Sequence, residues 1–205
     1  SDEKDFCGQC RVDELLEDQI ILTVLEEADS TELPAEVTLF QGLPKGDKME
    51  LIIQKAVELG AYEIIPVATK RAIVKLDAKK EASKLKRWQA IAEGAAKQSG
   101  RMLIPHISEV KTYGEALQMA RALDVNIIPY ECARGMDGTR EIFGNIKPGM
   151  SIGIFIGPEG GFEESEVEKA KEQGVYPVTL GRRIFRTETA GLTTLSILMY
   201  LLEEA

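Results

Sequence analysis

The chain has 205 residues, 44% of them hydrophobic, enough for one good core or for one domain plus an appendage. No apolar run is long enough to cross a bilayer, and the opening Ser1-Asp2-Glu3-Lys4-Asp5 is not a signal peptide. A formal net charge of -9 argues against binding nucleic acid by bulk attraction, so such a partner would need a local basic site.

The chain starts at Ser1 without an initiator Met, which suggests a partial or processed chain. Cys7 and Cys10 form a CxxC pair, but no second pair or nearby His completes a zinc site. The expectation is ordinary thiols and no metal; with Cys132 the count is odd, which fits a reducing cytoplasm. His106 is the one histidine and reads as a strand-edge residue, which disfavours a Ser-His-Asp hydrolase.

In chain order, alternation predicts a strand near Gln19–Leu25, one strand of a hairpin. Asp29 to Pro34 reads as a polar linker. Val37–Gln41 is the next strand. Asp47 is placed to cap the following helix, with Glu50 three residues on as in a capping box. Met49, Ile53, Ala56 and Val57 line that helix and Gly60 ends it. Ile64–Val67 is a strand. A helix over Lys80–Ser99 carries a buried stripe that includes Trp88, whose spacing fits core packing better than base stacking. A short strand over His106–Val110, a helix over Tyr113–Leu123, a strand over Asn126–Tyr130 and a short turn or helix over Thr139–Gly144 follow. Strands alternating with helices imply an α/β fold whose mainly parallel sheet is covered by helices on both faces.

Two strand-loop-helix units close the chain. The apolar run Ile152–Ile156 breaks into Gly157-Pro158-Glu159-Gly160-Gly161, and a helix over Glu163–Gln173 follows. Val175–Leu180 is a further strand, ending in Gly181-Arg182-Arg183-Ile184-Phe185-Arg186-Thr187-Glu188-Thr189-Ala190, before an apolar helix over Leu192–Leu202. Ligands of open α/β sheets bind at such carboxyl strand ends. Neither loop is a P-loop or a Rossmann fingerprint. A basic run from Thr69 to Arg101, including Lys70, Arg71, Lys97 and Arg101, suits a specific RNA face, and by charge count alone suits a solvated helix and loop surface equally.

These loops, with Gly42-Leu43-Pro44-Lys45-Gly46-Asp47-Lys48-Met49-Glu50, Gln54 to Gly60 and Ala95-Ala96-Lys97-Gln98-Ser99-Gly100-Arg101, resemble the RsmE family. These are ribosomal RNA methyltransferases of the SPOUT, or trefoil-knot, class. The resemblance implies a SPOUT domain over residues 34–205 with a C-terminal knot, preceded in 1–33 by a remnant of a PUA-like β-barrel domain and linker. It implies S-adenosylmethionine held by Tyr130, Glu131, Ile156, Gly157, Pro158, Glu159, Gly160, Gly161, Leu180, Gly181, Ile184, Arg186, Thr187 and Thr189. It also implies a cytoplasmic homodimer acting on the small ribosomal subunit.

The family reaction methylates N3 of a uridine in small-subunit ribosomal RNA. Positioning methyl group and nitrogen can supply about 7–11 kcal/mol. A fixed guanidinium can stabilise negative charge on the uracil oxygens, and Arg186 and Arg101 are the expected catalytic residues. RNA contacts are expected from Lys70, Arg71, Lys97 and Arg101. Glu188 fits first-turn capping better than proton acceptance. Two rivals are a ribose 2′-O-methyltransferase of the same class and a non-catalytic RNA-binding or assembly protein. The first is disfavoured because the Glu50–Gly60 helix lacks the Asn/Arg motif of that class, the second because Gly157, Gly160, Gly161, Gly181 and Arg186 are intact.

Overall fold

The computed structural model describes residues 8–27, 29–72, 78–133 and 135–203. A hairpin of β1 (Gly8–Leu15) and β2 (Ile20–Glu27) opens it, antiparallel with two irregularities of register. A seven-stranded sheet follows, in the order β5-β4-β3-β8-β7-β9, with β6 also paired to β4. Its strands are β3 (Glu36–Gly42), β4 (Glu63–Ala68), β5 (His106–Ile107), β6 (Lys111–Thr112), β7 (Val125–Pro129), β8 (Ser151–Ile156) and β9 (Val175–Val178). Every registered pair in it is parallel. No helix among the described residues is long and apolar enough to cross a membrane.

The central strands are apolar on both faces because helices cover both. On one side, residues from α1 (Lys48–Glu58), α2 (Ala78–Ser99), α4 (Met136–Gly144) and α6 (Thr187–Leu202) share a core with Val37, Leu39, Ile64, Ile154 and Ile156. On the other, α3 (Tyr113–Ala120) and α5 (Glu164–Glu172) pack against Phe40, Ile65, Ile128 and Phe155. The Phe40 and Phe155 rings stack there at 4.4 Å. Such a contact adds about 0.5–1.5 kcal/mol beyond burial. Tyr113 joins this face and donates its hydroxyl to the Glu166 carbonyl at 2.8 Å; burial first, then the Glu166 charge, raises its phenol above the ordinary range. Trp88 is buried in the first core, as its spacing suggests.

Several local expectations need correction. Asp47 occupies the cap position of α1, but its backbone (φ -99°, ψ 12°) is not the extended one a capping side chain needs and it makes no capping bond, while Glu50 pairs with Arg87 on α2 at 2.7 Å. Capping boxes form instead at Thr112/Glu115 and Glu163/Glu166. The strand expected over His106–Val110 stops at Ile107 as β5, and β6 begins beyond it at Lys111. β9 ends at Val178, and α6 starts at Thr187, five residues before the expected start at Leu192.

The segment expected to be a linker is fastened to the main body. Thr31 donates to the Gly100 carbonyl at 2.9 Å, and Leu33 is buried in the core. By contrast, the hairpin exposes Val12, Leu15, Ile20, Ile21, Leu22, Val24 and Leu25, on both of its faces. A two-stranded hairpin is marginally stable alone. Cys10 and Cys132 are exposed thiols, and Cys7, the other half of the CxxC pair, lies outside the described residues.

Candidate active site

Sheet order places the carboxyl ends of β3, β8, β7 and β9 side by side. The expected cofactor residues therefore gather on one edge. Tyr130 follows β7 and donates its backbone N–H to the Val178 carbonyl of β9 at 3.0 Å, with Glu131 exposed in the next turn. Ile156 ends β8, and Gly157 to Gly161 form the adjoining loop. Leu180 to Arg186 connect β9 to α6, and Thr187 and Thr189 lie in the first turn of α6 rather than in a loop.

A hydrogen-bonded chain fixes these pieces to one another. Gln41, fully buried at the end of β3, donates its amide to Thr187 Oγ1 at 2.9 Å and to the Gly42 carbonyl at 2.9 Å. Thr187 in turn donates its hydroxyl to the Gly157 carbonyl at 2.6 Å. Thr187 thus braces the first loop instead of capping its own helix. Gln41, a polar residue inside an apolar strand, was not among the residues singled out from the sequence. That burial of a polar side chain is costly unless bonded was the available signal.

The Gly157 loop is closed tightly on itself. A Cβ on Gly157 would lie 2.9 Å from the Gly161 carbonyl carbon, and one on Gly42 would lie 2.7 Å from Pro158 Cδ. Gly161 (φ +67°) and Gly181 (φ +113°) have backbone angles that favour glycine. At both positions a Cβ would meet nothing within 4 Å, and Ile184 is 81% exposed. The backbone at Gly161 and Gly181 is thus unobstructed on its side-chain side, and Ile184 exposes an apolar side chain in the second loop. That arrangement fits a flat, partly apolar ligand with hydrogen-bonding edges, such as a nucleoside.

The carboxylates behind the loops are neutralised. Glu159 accepts from the Lys45 backbone N–H at 3.1 Å and lies 3.0 Å from Lys48 Nζ. Burial alone would raise its carboxyl, but hydrogen bonds from its own and the Lys45 backbone, and from Lys48, hold it below the ordinary range. The Glu159 bond is also the main reason the Lys48 ammonium is raised. Glu188 Oε2 stands 3.5 Å from Lys48 Nζ, at the first turn of α6. This position serves charge pairing at a helix N-terminus.

Lys70 and Arg71 follow β4 on this same edge. Lys70 Nζ reaches Glu163 at 3.1 Å and Ser165 at 3.0 Å, and Arg71 donates to the Gly160 carbonyl at 2.8 Å. The other half of the expected basic face is elsewhere. α2 has 22 residues and carries the chain ~33 Å, back to the amino ends of the strands. Lys97 pairs there with Glu93 at 2.6 Å.

Arg101 requires a correction. Its side chain is only 5% exposed and is paired with Glu32. It donates as well to the carbonyls of Ala61 at 2.6 Å and Val57 at 3.1 Å, beside the start of β4. Its guanidinium is almost wholly engaged by these acceptors, so neither expected role suits it. A concavity of about 270 Å³ opens beside it, lined by Glu32, Leu33, Gly60, Tyr62 and Leu103 among others, at the edge opposite the glycine loops.

The two loop glycines should respond differently to a methyl group. Gly157→Ala needs the Gly161 backbone to give by about half an ångström, whereas a Cβ on Gly160 meets only the Arg71 side chain, at 3.3 Å. Since a 1 Å misplacement costs about 10²-fold in comparable sites, Gly157→Ala should reduce ligand-dependent turnover ~10-fold. Gly160→Ala should stay near wild type. Equal effects in folded variants, compared by turnover and ligand titration, would contradict this reading of the loop.

Residues 31–199 match the RNA methyltransferase domain family. The chain is 40% identical over 199 residues to ribosomal RNA small subunit methyltransferase E of Bacillus subtilis (strain 168), covering 95% of this chain and 78% of that one. It is 38% identical over 161 residues to the protein of that name from Mesomycoplasma hyopneumoniae (strain 232), covering 78% and 68%. The crystal structure of a ribosomal RNA small subunit methyltransferase E from Neisseria gonorrhoeae, bound to S-adenosyl methionine, superposes with a TM-score of 0.77 at 36% identity, covering 95% of this chain and 79% of the other.

Proposed function

Because the chain belongs to the RNA methyltransferase family, alongside the ribosomal RNA small subunit methyltransferases E, we propose that it methylates ring N3 of one uridine in small-subunit ribosomal RNA. Methylation of ribosomal RNA from S-adenosylmethionine is the coarser reading, and the relatives support it directly. The single observation that carries it here is the pair of glycine loops at the carboxyl ends of β8 and β9, on either side of β7, with unobstructed backbone at Gly161 and Gly181 and with Arg186 in the second loop.

The cofactor supplies an activated sulfonium methyl group. Tyr130 and Glu131, the Gly157–Gly161 loop, and Leu180, Gly181, Ile184, Arg186, Thr187 and Thr189 are the residues that would hold it. Pro158 and Glu159 face away, toward Gly42 and Lys48, so they act by shaping the loop. Arg186 stands ahead of the first turn of α6, exposed and without a capping bond, which leaves its guanidinium available for charge developing on uracil oxygens. Glu188 is engaged with Lys48, which favours a structural role over proton acceptance. Lys70 and Arg71, exposed beside the Gly157 loop, would meet RNA at the rim.

The test is transfer of labelled methyl groups to an unmodified small-subunit ribosomal RNA transcript or subunit, followed by mapping of the product. Label on a uridine N3 supports the assignment; label on a ribose oxygen transfers it to the rival class; none in a folded, cofactor-binding protein removes catalysis.

Three architectural points belong to the same proposal. The chain returns from the edge strand β9 to place α6 beneath the Gly157 loop, which supports a trefoil knot. The exposed apolar faces of β1 and β2 support a partial PUA-like unit within residues 1–33, with 34–205 as the methyltransferase domain; contacts of Thr31 to Leu33 belong to the latter. Exposed Tyr200 and Leu201 on α6 and Leu51 on α1 support a homodimer, working in the cytoplasm where ribosomes assemble. Sedimentation at micromolar concentration should give twice the chain mass; a monomer there would count against a shared site.

A further inference from the structure

Most arginines among the described residues are already occupied. Among the described residues Arg11, Arg71, Arg87, Arg101, Arg121 and Arg140 each donate to an acceptor. Among the described residues the guanidiniums of Arg182, Arg183 and Arg186 find no hydrogen-bond or ion-pair partner, and all three residues are exposed. They fall within five residues of one another, in the loop that enters α6.

Acceptors are not scarce in this protein, since 34 acidic residues face 25 basic ones. Three free guanidiniums side by side therefore make a local positive patch on a negative molecule. Its surroundings reinforce the sign. Glu159 and Glu188, the carboxylates nearest in the two loops, are turned inward and share Lys48. Lys70 and Arg71 add positive charge across the Gly157 loop. Glu131 and Glu164 are exposed on this edge, and the three guanidiniums outnumber them.

We propose that Arg182 and Arg183 are the principal phosphate contacts of this site, holding the RNA strand that presents its base to Arg186. The inference rests on reading this edge as an RNA methyltransferase site. Guanidinium is suited to the task because it offers a planar fork to phosphate oxygens and is weakly hydrated. Placing phosphate contacts beside the reacting residue fixes strand register there, whereas the Lys97 and Arg101 end of α2 lies a helix length away.

The experiment compares the wild type, the double substitution Arg182→Ala/Arg183→Ala, and Arg182→Lys/Arg183→Lys. Each is titrated with an unmodified small-subunit ribosomal RNA transcript across a salt series, and with S-adenosylmethionine alone. Losing two phosphate contacts should flatten the slope of log affinity against log salt by about 1.4–1.8, at roughly 0.7–0.9 per phosphate. The lysine variant should recover most of that slope, because charge is kept. KM for RNA should rise in the alanine variant while its cofactor affinity holds.

An unchanged slope in the alanine variant, with the wild type methylating the RNA, overturns the assignment and leaves the enzymatic reading in place. A loss of cofactor affinity with RNA binding intact also overturns it, and moves the arginines to the cofactor carboxylate. A wild type that binds the cofactor but neither binds nor methylates the RNA overturns the enzymatic reading, and the inference with it.

Discussion

Arg101→Ala should cost the protein about 3–5 kcal/mol of stability, the usual penalty for removing one partner of a buried ion pair. The pair is well enclosed, with side chains 5% and 15% exposed at Arg101 and Glu32. It is also densely bonded. Arg101 Nε donates to Glu32 Oε2 at 2.9 Å, while Glu32 Oε1 accepts from the backbone of Met102 at 2.8 Å and Leu103 at 3.0 Å. Removing the guanidinium would leave the Glu32 carboxylate without its counter-charge and take one donor each from the carbonyls of Ala61 and Val57. The loss should appear as a lower urea midpoint with little change in slope. Glu32→Ala should destabilise similarly, and the double variant by less than the sum, since both report one interaction. The folded Arg101→Ala protein should keep its cofactor affinity. If its urea midpoint instead matches wild type while RNA binding collapses, Arg101 contacts RNA after all.

The misassignment of Arg101 shows where sequence reasoning stops. Its neighbours in the chain are basic, but position along α2 decides position in space, and the helix delivers Arg101 to the wrong edge of the sheet. The strands themselves were legible because buried parallel strands are written as short apolar runs, such as Ile152 to Ile156. The glycine loops were legible because Gly157 has no room for a side chain and Gly161 has a backbone angle that disfavours one. The start of α6 was not. Thr187-Glu188-Thr189-Ala190-Gly191 is a poor helix sequence by propensity. It is helical because Gln41 and Gly157 grip Thr187, and because Gly191 packs close to Ile156 and Leu39. The Gln41–Thr187 bond alone joins residues 146 positions apart, which no local pattern encodes. For the same reason Glu50 was read as a capping residue, although Arg87 on another helix claims it.

Arg186→Ala should lower the single-turnover methylation rate by on the order of 100- to 1,000-fold, the loss seen when one charge-stabilising donor is removed from comparable sites. Two features of the structure separate this residue from its neighbours. Arg186 is the cap residue of α6, so the Thr187 brace to Gly157 fixes its backbone, whereas Arg182 and Arg183 sit earlier in the connection. Its side chain is also free of any protein acceptor, so the substitution leaves no buried group stranded and should not unfold the protein. RNA affinity should therefore stay close to wild type, with the loss carried by the rate at saturating RNA and cofactor. Arg186→Lys should recover only part of it, because an ammonium keeps the charge but not the planar fork. The mapped product should remain the same base in both variants. A rate loss that vanishes at saturating RNA would make Arg186 a third phosphate contact, and a loss of cofactor affinity would make it part of the cofactor cradle. In either event some other group would have to stabilise the charge on the uracil oxygens. Arg71, already bonded to the Gly160 carbonyl on the opposite side of the same loop, would be the next residue to replace.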